Sequence, residues 1–264
     1  MGTKVEKIAT LDAMKTPDSC FYCPQIQCGK ATLDENESAH AVKVCRAAQG
    51  DVLELCDGLG HFAVGTIVVA DPRACQVEIS QVETPKPQKP LLNLAIACLK
   101  DDALEEVVFH AAQTEIASIT FLRTDYSQEP KNSDLHKLVR RSELKSLVSL
   151  KQSKKPWLTE ICGPVEFKEW LKGYCGDLIL CDVDGEKTAP KEVTDKLTAN
   201  FASDKKCDET STPVTLLVGP EGGFSPEEIR MTKEFTGGKS YALNLGNTRL
   251  RARTAAIVAL GKLL

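Results

Sequence analysis

The sequence predicts an α/β protein built on a parallel sheet, with a small N-terminal β-barrel domain ahead of it. Three observations carry that expectation. After residue 90, apolar runs of strand length alternate with segments of helical period, the pattern of parallel strands joined by helical crossovers. Between Phe21 and Val82, short strand-like segments follow one another with turn residues between them. Separating the two is Thr84-Pro85-Lys86-Pro87-Gln88-Lys89-Pro90, whose three prolines in six positions break regular structure and mark a domain boundary. The expected organisation is a flexible extension over 1–19, a barrel over 20–84 and an α/β domain over 90–264.

Residues 1–19 are polar and without a clear period, as a loose terminus would be. Helical character in the first domain is confined to Glu35–Arg46. Val52–Gly60 reads as a strand running into a glycine turn, His61–Ala70 as its partner, and Cys75–Ser80, after a turn at Asp71-Pro72, as a third strand. Short strands of this kind close most simply into a small barrel. In the second domain Leu91–Ala97 reads as a buried strand. Asp102–Gln113 places Leu104, Val107, Val108 and Ala111 at helical spacing. Ser118–Leu122 is a strand, Asp134–Lys151 a basic helix, and Asp177–Val183 and Val214–Val218 are apolar strands. Lys187–Thr212 is a polar excursion with a short helix at Glu192–Asn200. Trp157 and Trp170 read as packing residues.

The 264 residues are 42% hydrophobic and 27% charged, an ordinary globular composition, and no apolar run reaches membrane-span length. The first twenty residues mix Lys4, Glu6, Lys7, Asp12 and Lys15 and lack the apolar core of a signal peptide. A cytoplasmic protein is expected. The eleven cysteines are odd in number and irregular in spacing, unlike a secreted disulfide framework. Cys20-x2-Cys23-x4-Cys28 resembles half a zinc site, but no second pair completes the usual four ligands, so no metal is expected. Net charge is −4, yet Lys131–Lys155 holds eight basic residues and two acids, and Lys239–Leu264 five basic residues and no acid. Such stripes suit a phosphate backbone or a solvated helix face.

The C-terminal segments are the most specific. Val214–Val218 ends in Gly219-Pro220-Glu221-Gly222-Gly223-Phe224. Ser225-Pro226-Glu227-Glu228 then supplies an N-cap, a proline at the first helical position and acids in the first turn. A second strand-and-glycine loop, Leu243-Asn244-Leu245-Gly246, leads into a helix through Arg249, Arg251 and Arg253. Ligands collect outside the carboxyl ends of parallel strands, and glycine lets backbone groups approach a ligand closely. The loops therefore read as a ligand crevice or, more plainly, as two helix-entry turns. With no phosphate-loop lysine, Gly-Pro-Glu-Gly-Gly is not an ATP site.

These two segments resemble the RsmE family of rRNA methyltransferases, in the SPOUT superfamily. Leu217–Glu228 matches the family's Gly-Pro-Glu-Gly-Gly-Phe-Ser piece, and Leu245, Gly246, Leu250, Arg251, Thr254 and Ala255 match the second. Lys151-Gln152-Ser153 is similar to the family's Gln-Ser motif, and Glu37–Arg46, Gly50-Asp51 and Asp57–Gly60 to its N-terminal barrel. The chain departs from the pattern at Ala252-Arg253, where the family has Thr-Glu, at Glu115-Ile116-Ala117 for Glu-Leu-Gly, and at Tyr126-Ser127 for Arg-Ser.

The resemblance implies a PUA-like barrel, a SPOUT domain with a C-terminal trefoil knot, and a homodimer whose apolar C-terminal helix packs at the core or the interface. It implies methyl transfer from S-adenosylmethionine to N3 of a uridine in small-subunit (16S) rRNA. Expected cofactor contacts are Leu217, Gly219, Pro220, Glu221, Gly222, Asn244, Leu245, Gly246 and Leu250, with Leu217, Leu245 and Leu250 as apolar walls. Glu221 either offsets the sulfonium charge or serves the loop itself. Arg249 and Arg251 are the expected catalytic pair, orienting the base and stabilising the developing uridine anion. His40, Lys43, Arg46, Lys151, Gln152, Lys154 and Arg253, with Lys155, are expected RNA contacts. The departures at Ala252 and Arg253 leave a second reading, a non-catalytic RNA-binding or ribosome-assembly protein on the same fold. A third is a SPOUT enzyme acting on another RNA.

Overall fold

The computed structural model describes residues 20–84, 90–128, 135–202 and 212–264. The expected extension over 1–19 and the prolines at 85 and 87 lie outside them. The chain falls into two compact units that part between Pro85 and Lys86.

The N-terminal unit is a five-stranded sheet in the order β1-β3-β4-β5-β2, curled into a half-barrel. The strands are β1 (Phe21–Tyr22), β2 (Gly29–Thr32), β3 (Val52–Cys56), β4 (Phe62–Val69) and β5 (Gln76–Glu83). The expected meander is β3-β4-β5, antiparallel throughout. Chain reversals bring β2 antiparallel to β5 and β1 parallel to β3. β4 alternates buried and exposed positions, so Ala63 and Ile67 enter a core with Phe21, Leu53, Leu55, Val77 and Ile79. At Gly65 an added Cβ would stand 3.1 Å from the Val77 Cβ. The register shifts between Val64 and Gly65 in the β4–β5 pairing, and such bulges help a sheet bend.

Helix α1 (Glu35–Ala39) starts at Asp34, whose Oδ1 accepts the Glu37 N–H at 2.8 Å. The helix then widens into a π-turn, His40–Val44, in which the Cys45 N–H donates to His40 O. The α-helical spacing expected for His40, Lys43 and Arg46 is therefore not kept. Arg46 sits beyond the turn at φ 57°.

The C-terminal unit carries a six-stranded sheet, every neighbouring pair parallel, in the order β11-β9-β10-β6-β7-β8. Its strands are β6 (Leu92–Ala97), β7 (Ser118–Arg123), β8 (Glu160–Glu166), β9 (Asp177–Glu186), β10 (Val214–Val218) and β11 (Ser240–Leu243). All of β10 is buried, as a strand covered on both faces requires. Val214, Leu216 and Val218 pack on one face with Leu104, Val107 and Val108 of α2 (Asp101–Ala111), Leu138 of α3 (Leu135–Ser153), Val193 and Leu197 of α5 (Lys191–Ala202), and Ala256 and Leu260 of α7 (Ala252–Leu263). Leu217 faces the other side with Leu178, Leu180, and Phe167 and Leu171 of α4 (Phe167–Gly173), against which Ile229 of α6 (Pro226–Lys233) also packs.

Two elements, β8 and α4, have no counterpart in the sequence expectations. Strand β8 contains Gly163-Pro164 and half-buried positions, so neither alternation nor an apolar run announces it. It lies at the sheet edge, where proline is tolerated. The expected short helix at Glu192–Asn200 is α5. The rest of that excursion, from residue 203 to 211, lies outside the described residues. Trp170 packs as expected, its ring 4.8 Å from that of Tyr174. Among the described residues, no helix is long and apolar enough to cross a membrane.

Candidate functional site

Because the strands are parallel, the loops leaving β9, β10 and β11 emerge at one edge of the sheet. The β10 loop, Gly219–Phe224, is held between its strand and a tightly capped helix. Ser225 Oγ accepts the Glu228 N–H at 3.3 Å, and Glu228 Oε2 accepts the Ser225 N–H at 2.8 Å. Glu228, only 1% exposed, also accepts the Asp125 N–H through Oε1 at 2.9 Å, while Ser225 Oγ donates to Asp125 Oδ2 at 2.6 Å. The loop after β7 is thereby tied to the start of α6.

The second loop is fixed by Asn244. Its amide nitrogen donates to Val183 O, its Oδ1 accepts the Gly246 N–H at 2.7 Å, and its backbone N–H donates to Glu186 O at 2.8 Å. One side chain thus joins the β11 loop to the end of β9. Arg249 Nη2 donates to Glu221 O at 3.0 Å and links the two glycine loops.

Between them opens a cleft of about 380 Å³ lined by the ends of β9, β10 and β11 and by the first turn of α7, a size that accommodates a small organic ligand. Gly219 is needed for compactness, since a Cβ there would stand 3.1 Å from Gly223 C and from the Phe224 ring. Gly246 is needed for conformation, with φ 133°, where L side chains are strained. The wall carries two carboxylates, Asp182 and Glu221, and one guanidinium, Arg249. Burial pushes the Cys181 thiol up to about 12, so it is a neutral wall group rather than a nucleophile.

Residues 86–264 match the RNA methyltransferase domain family. The chain belongs to that family.

Residues 33–80 match the RNA methyltransferase PUA domain. A relative named Ribosomal RNA small subunit methyltransferase E, from Mycobacterium bovis, is 26% identical over 88% of this chain and 84% of its own length. One of the same name from Rickettsia conorii is 25% identical over 88% of each chain. A methyltransferase from Legionella pneumophila, solved in complex with the cofactor SAM, is 26% identical, with a TM-score of 0.73 over 92% of this chain and 95% of that one. The small subunit methyltransferase E of Neisseria gonorrhoeae shares the fold, with a TM-score of 0.74 at 20% identity over 94% of this chain and 95% of that one. The resemblance drawn from the two glycine-loop motifs is borne out.

In this RNA methyltransferase family member, the cleft gathers Gly219, Pro220, Glu221, Gly222, Asn244, Leu245, Gly246, Leu250 and Arg249. Leu217 is not part of the cleft lining; its side chain is buried in the core with Phe167 and Leu171 of α4. Arg251 is exposed at the N-cap of α7 and is not part of the cleft lining. Arg253 turns to α2, its Nη1 2.6 Å from Glu106 Oε2.

Lys151, Gln152 and Lys154 stand at the end of α3, which leads into the start of β8, and none of them lines the cleft. Lys155, also expected at RNA, is instead 4% exposed. Its ammonium donates to Thr114 O at 3.1 Å and to Thr159 Oγ1 at 2.5 Å, below the start of β7. In the N-terminal unit the His40 ring packs 5.4 Å from Phe21, and Lys43 and Arg46 are exposed.

Among the lining residues without a sequence expectation are Leu180, Cys181, Asp182 and Val183 of β9, Phe224, Thr248, and Ala252 and Ala255 of α7. The strand was foreseen, and the rule that ligands gather at carboxyl ends of parallel strands applies to it too. Only its pairing between β10 and β11 reveals that it contributes a wall.

Proposed function

We propose that this chain transfers the methyl group of S-adenosylmethionine to N3 of a uridine in small-subunit rRNA. The relatives' names supply the substrate class. The observation that carries the reading is the cleft where both glycine loops meet at the carboxyl edge of the sheet. The residues present fit the cofactor. The bare backbone at Gly223 and Gly246, where an added Cβ would meet nothing within 4 Å, gives access to adenine and ribose. Leu245 and Leu250 supply apolar walls, and the carboxylates of Asp182 and Glu221 face a ligand that carries a positive sulfonium.

When bound, S-adenosylmethionine supplies an electrophilic methyl group. The new bond is N3–CH3, the bond broken is S–CH3, and the N3 proton leaves to an acceptor in solution or on the RNA. What the chain contributes is placement and charge. The Arg249–Glu221 contact holds the two loops at a fixed separation and so defines the approach to the methyl group. Arg249, on the cleft wall, is positioned to stabilise negative charge developing on the uracil carbonyls. Arg251 contacts the RNA backbone from the rim. The PUA unit docks RNA through Lys43 and Arg46, and the active form is a homodimer carrying the trefoil knot of the superfamily.

The reading of a non-catalytic RNA binder rests on two departures, at Ala252, which lines the cleft with no more than a methyl group, and at Arg253. The Arg253 side chain is engaged with Glu106 rather than lining the cleft, so the charge reversal there leaves the cofactor wall intact. The test is labelled-methyl transfer from S-adenosylmethionine to small subunits lacking the modification, with the product nucleoside identified by mass spectrometry. The expected product is 3-methyluridine. Absence of label, on subunits that the Neisseria enzyme methylates, would reject the reading, and label in tRNA instead would redirect it.

A further inference from the structure

The loop after β7 contributes no residue to the cleft lining, yet its own hydrogen bonds fasten it to the start of α6. Ser127 Oγ accepts the Thr124 N–H at 2.7 Å and is 2.8 Å from Thr124 Oγ1, closing a four-residue turn. Asp125 is fixed at both ends by Ser225 and the buried Glu228. A buried carboxylate is costly unless hydrogen-bonded, and here its bonds lock a surface turn to the base of the glycine loop. The turn's remaining residue, Tyr126, is 50% exposed. It is the one aromatic among the exposed large hydrophobic side chains of the described residues. Its ring edge lies against Gly222, where an added Cβ would be 3.5 Å from the Tyr126 Cβ and 3.6 Å from its Cδ2. Gly222 is on the cleft wall. The molecule thus holds one uncovered aromatic ring at the cleft mouth, on a turn with little freedom to fold away.

We propose that Tyr126 is a stacking platform for a nucleobase of the RNA substrate at the entrance to the cleft. The inference rests on the methyl-transfer reading above. A base that undergoes chemistry must leave its own stack, and a protein ring replaces the lost stacking. Tyrosine serves because its ring presents a flat apolar face at low entropic cost, and a rigid turn orders that face before RNA arrives. Stacking is tolerant of base identity, so Tyr126 contributes affinity and placement, while discrimination of uracil falls to polar groups deeper in the cleft.

The alternative is that the ring only covers the Gly222 backbone. Two substitutions separate the roles. Tyr126→Phe keeps the aromatic face, and Tyr126→Leu keeps apolar cover without it. Binding is measured directly, by fluorescence anisotropy of a uridine-containing single-stranded RNA, beside calorimetric binding of S-adenosylmethionine to the same full-length proteins. The stacking role predicts about 10-fold weaker RNA binding for Tyr126→Leu, RNA binding within about 2-fold of wild type for Tyr126→Phe, and unchanged cofactor affinity in both. In transfer assays, the Leu variant raises KM for RNA more than it lowers kcat. Wild-type RNA affinity in Tyr126→Leu, or an equal loss of cofactor affinity, overturns the proposal and leaves the methyl-transfer reading standing. A wild-type chain that binds neither RNA nor cofactor rejects both.

Discussion

The two edges of the C-terminal sheet show opposite outcomes from the same architecture. At the carboxyl edge, loops rich in glycine leave the backbone bare and stand apart around a cleft. At the amino edge, where α3 returns to β8, a lysine folds inward and closes the structure. The Lys155 ammonium bonds to Thr114 O and Thr159 Oγ1, and the Thr159 hydroxyl itself donates to Ile116 O. Burial pulls this lysine down to about 8, with Glu115 nearby opposing the shift. Both edges carry basic residues that sequence reasoning linked to RNA. Only at the carboxyl edge does a basic side chain, Arg249, stand on a cleft wall. Positive charge in a sequence is therefore weak evidence of a partner until burial is known, since the same residue type can cap carbonyls from inside.

The largest effect is expected at Gly246. Gly246→Val places a branched side chain at φ 133° beside the cleft. Loss of S-adenosylmethionine affinity on the order of 100-fold is expected, with an unchanged circular dichroism spectrum. Near-normal affinity by calorimetry would mean that this loop is not the cofactor cradle.

The amino edge has a pH signature. Below about pH 8 Lys155 is charged in both the folded and unfolded chain, and the full cost of burying the charge is present. Between about 8 and the ordinary value of 10.5 the unfolded chain holds a proton that the folded chain has lost, so this group makes stability rise with pH. Wild type should gain on Lys155→Met across that window by up to roughly 3 kcal/mol, read from urea unfolding at several pH values. Parallel pH profiles for the two proteins would remove the buried-cation account.

A smaller effect is expected at the bridge between the loops. Arg249→Ala removes a charge-assisted hydrogen bond to Glu221 O and should lower methyl transfer about 10-fold, with kcat more affected than the cofactor KM. An unaltered kcat would place Arg249 outside the chemistry. The least effect is expected at Arg253. Its partner Glu106 and Arg253 itself are both over 40% exposed, so Arg253→Ala should shift stability by less than about 1 kcal/mol and transfer by no more than about 2-fold. A large loss of transfer would restore Arg253 to the candidate site.

Much of the fold was legible because its signals are local. Val214–Val218 is apolar but for Thr215 since both faces of β10 are covered, and Ser225-Pro226 with the acids after it spells a helix start that forms where expected. What failed to read were elements whose identity depends on distant neighbours. Strand β8 has a Gly-Pro interruption and half-buried side chains, and it is a strand because β7 offers it an edge. Within the cleft, the glycines and Arg249 were legible, while Asp182 and Val183 were not, because a polar strand end gains meaning only from the loops beside it.

The sequence alone determined the two-part organisation, the alternation that makes a parallel sheet, and the two glycine loops, all consequences of periodicity, turn chemistry and caps within a few residues. The tertiary structure decided which strand lies next to which, and hence that β9 forms a cleft wall, that Leu217 is buried in the core, that Arg253 pairs with Glu106, and that Lys155 is buried. Those outcomes depend on which face of an element meets which neighbour, and on whether burial leaves a charge in water or commits it to partners far away along the chain.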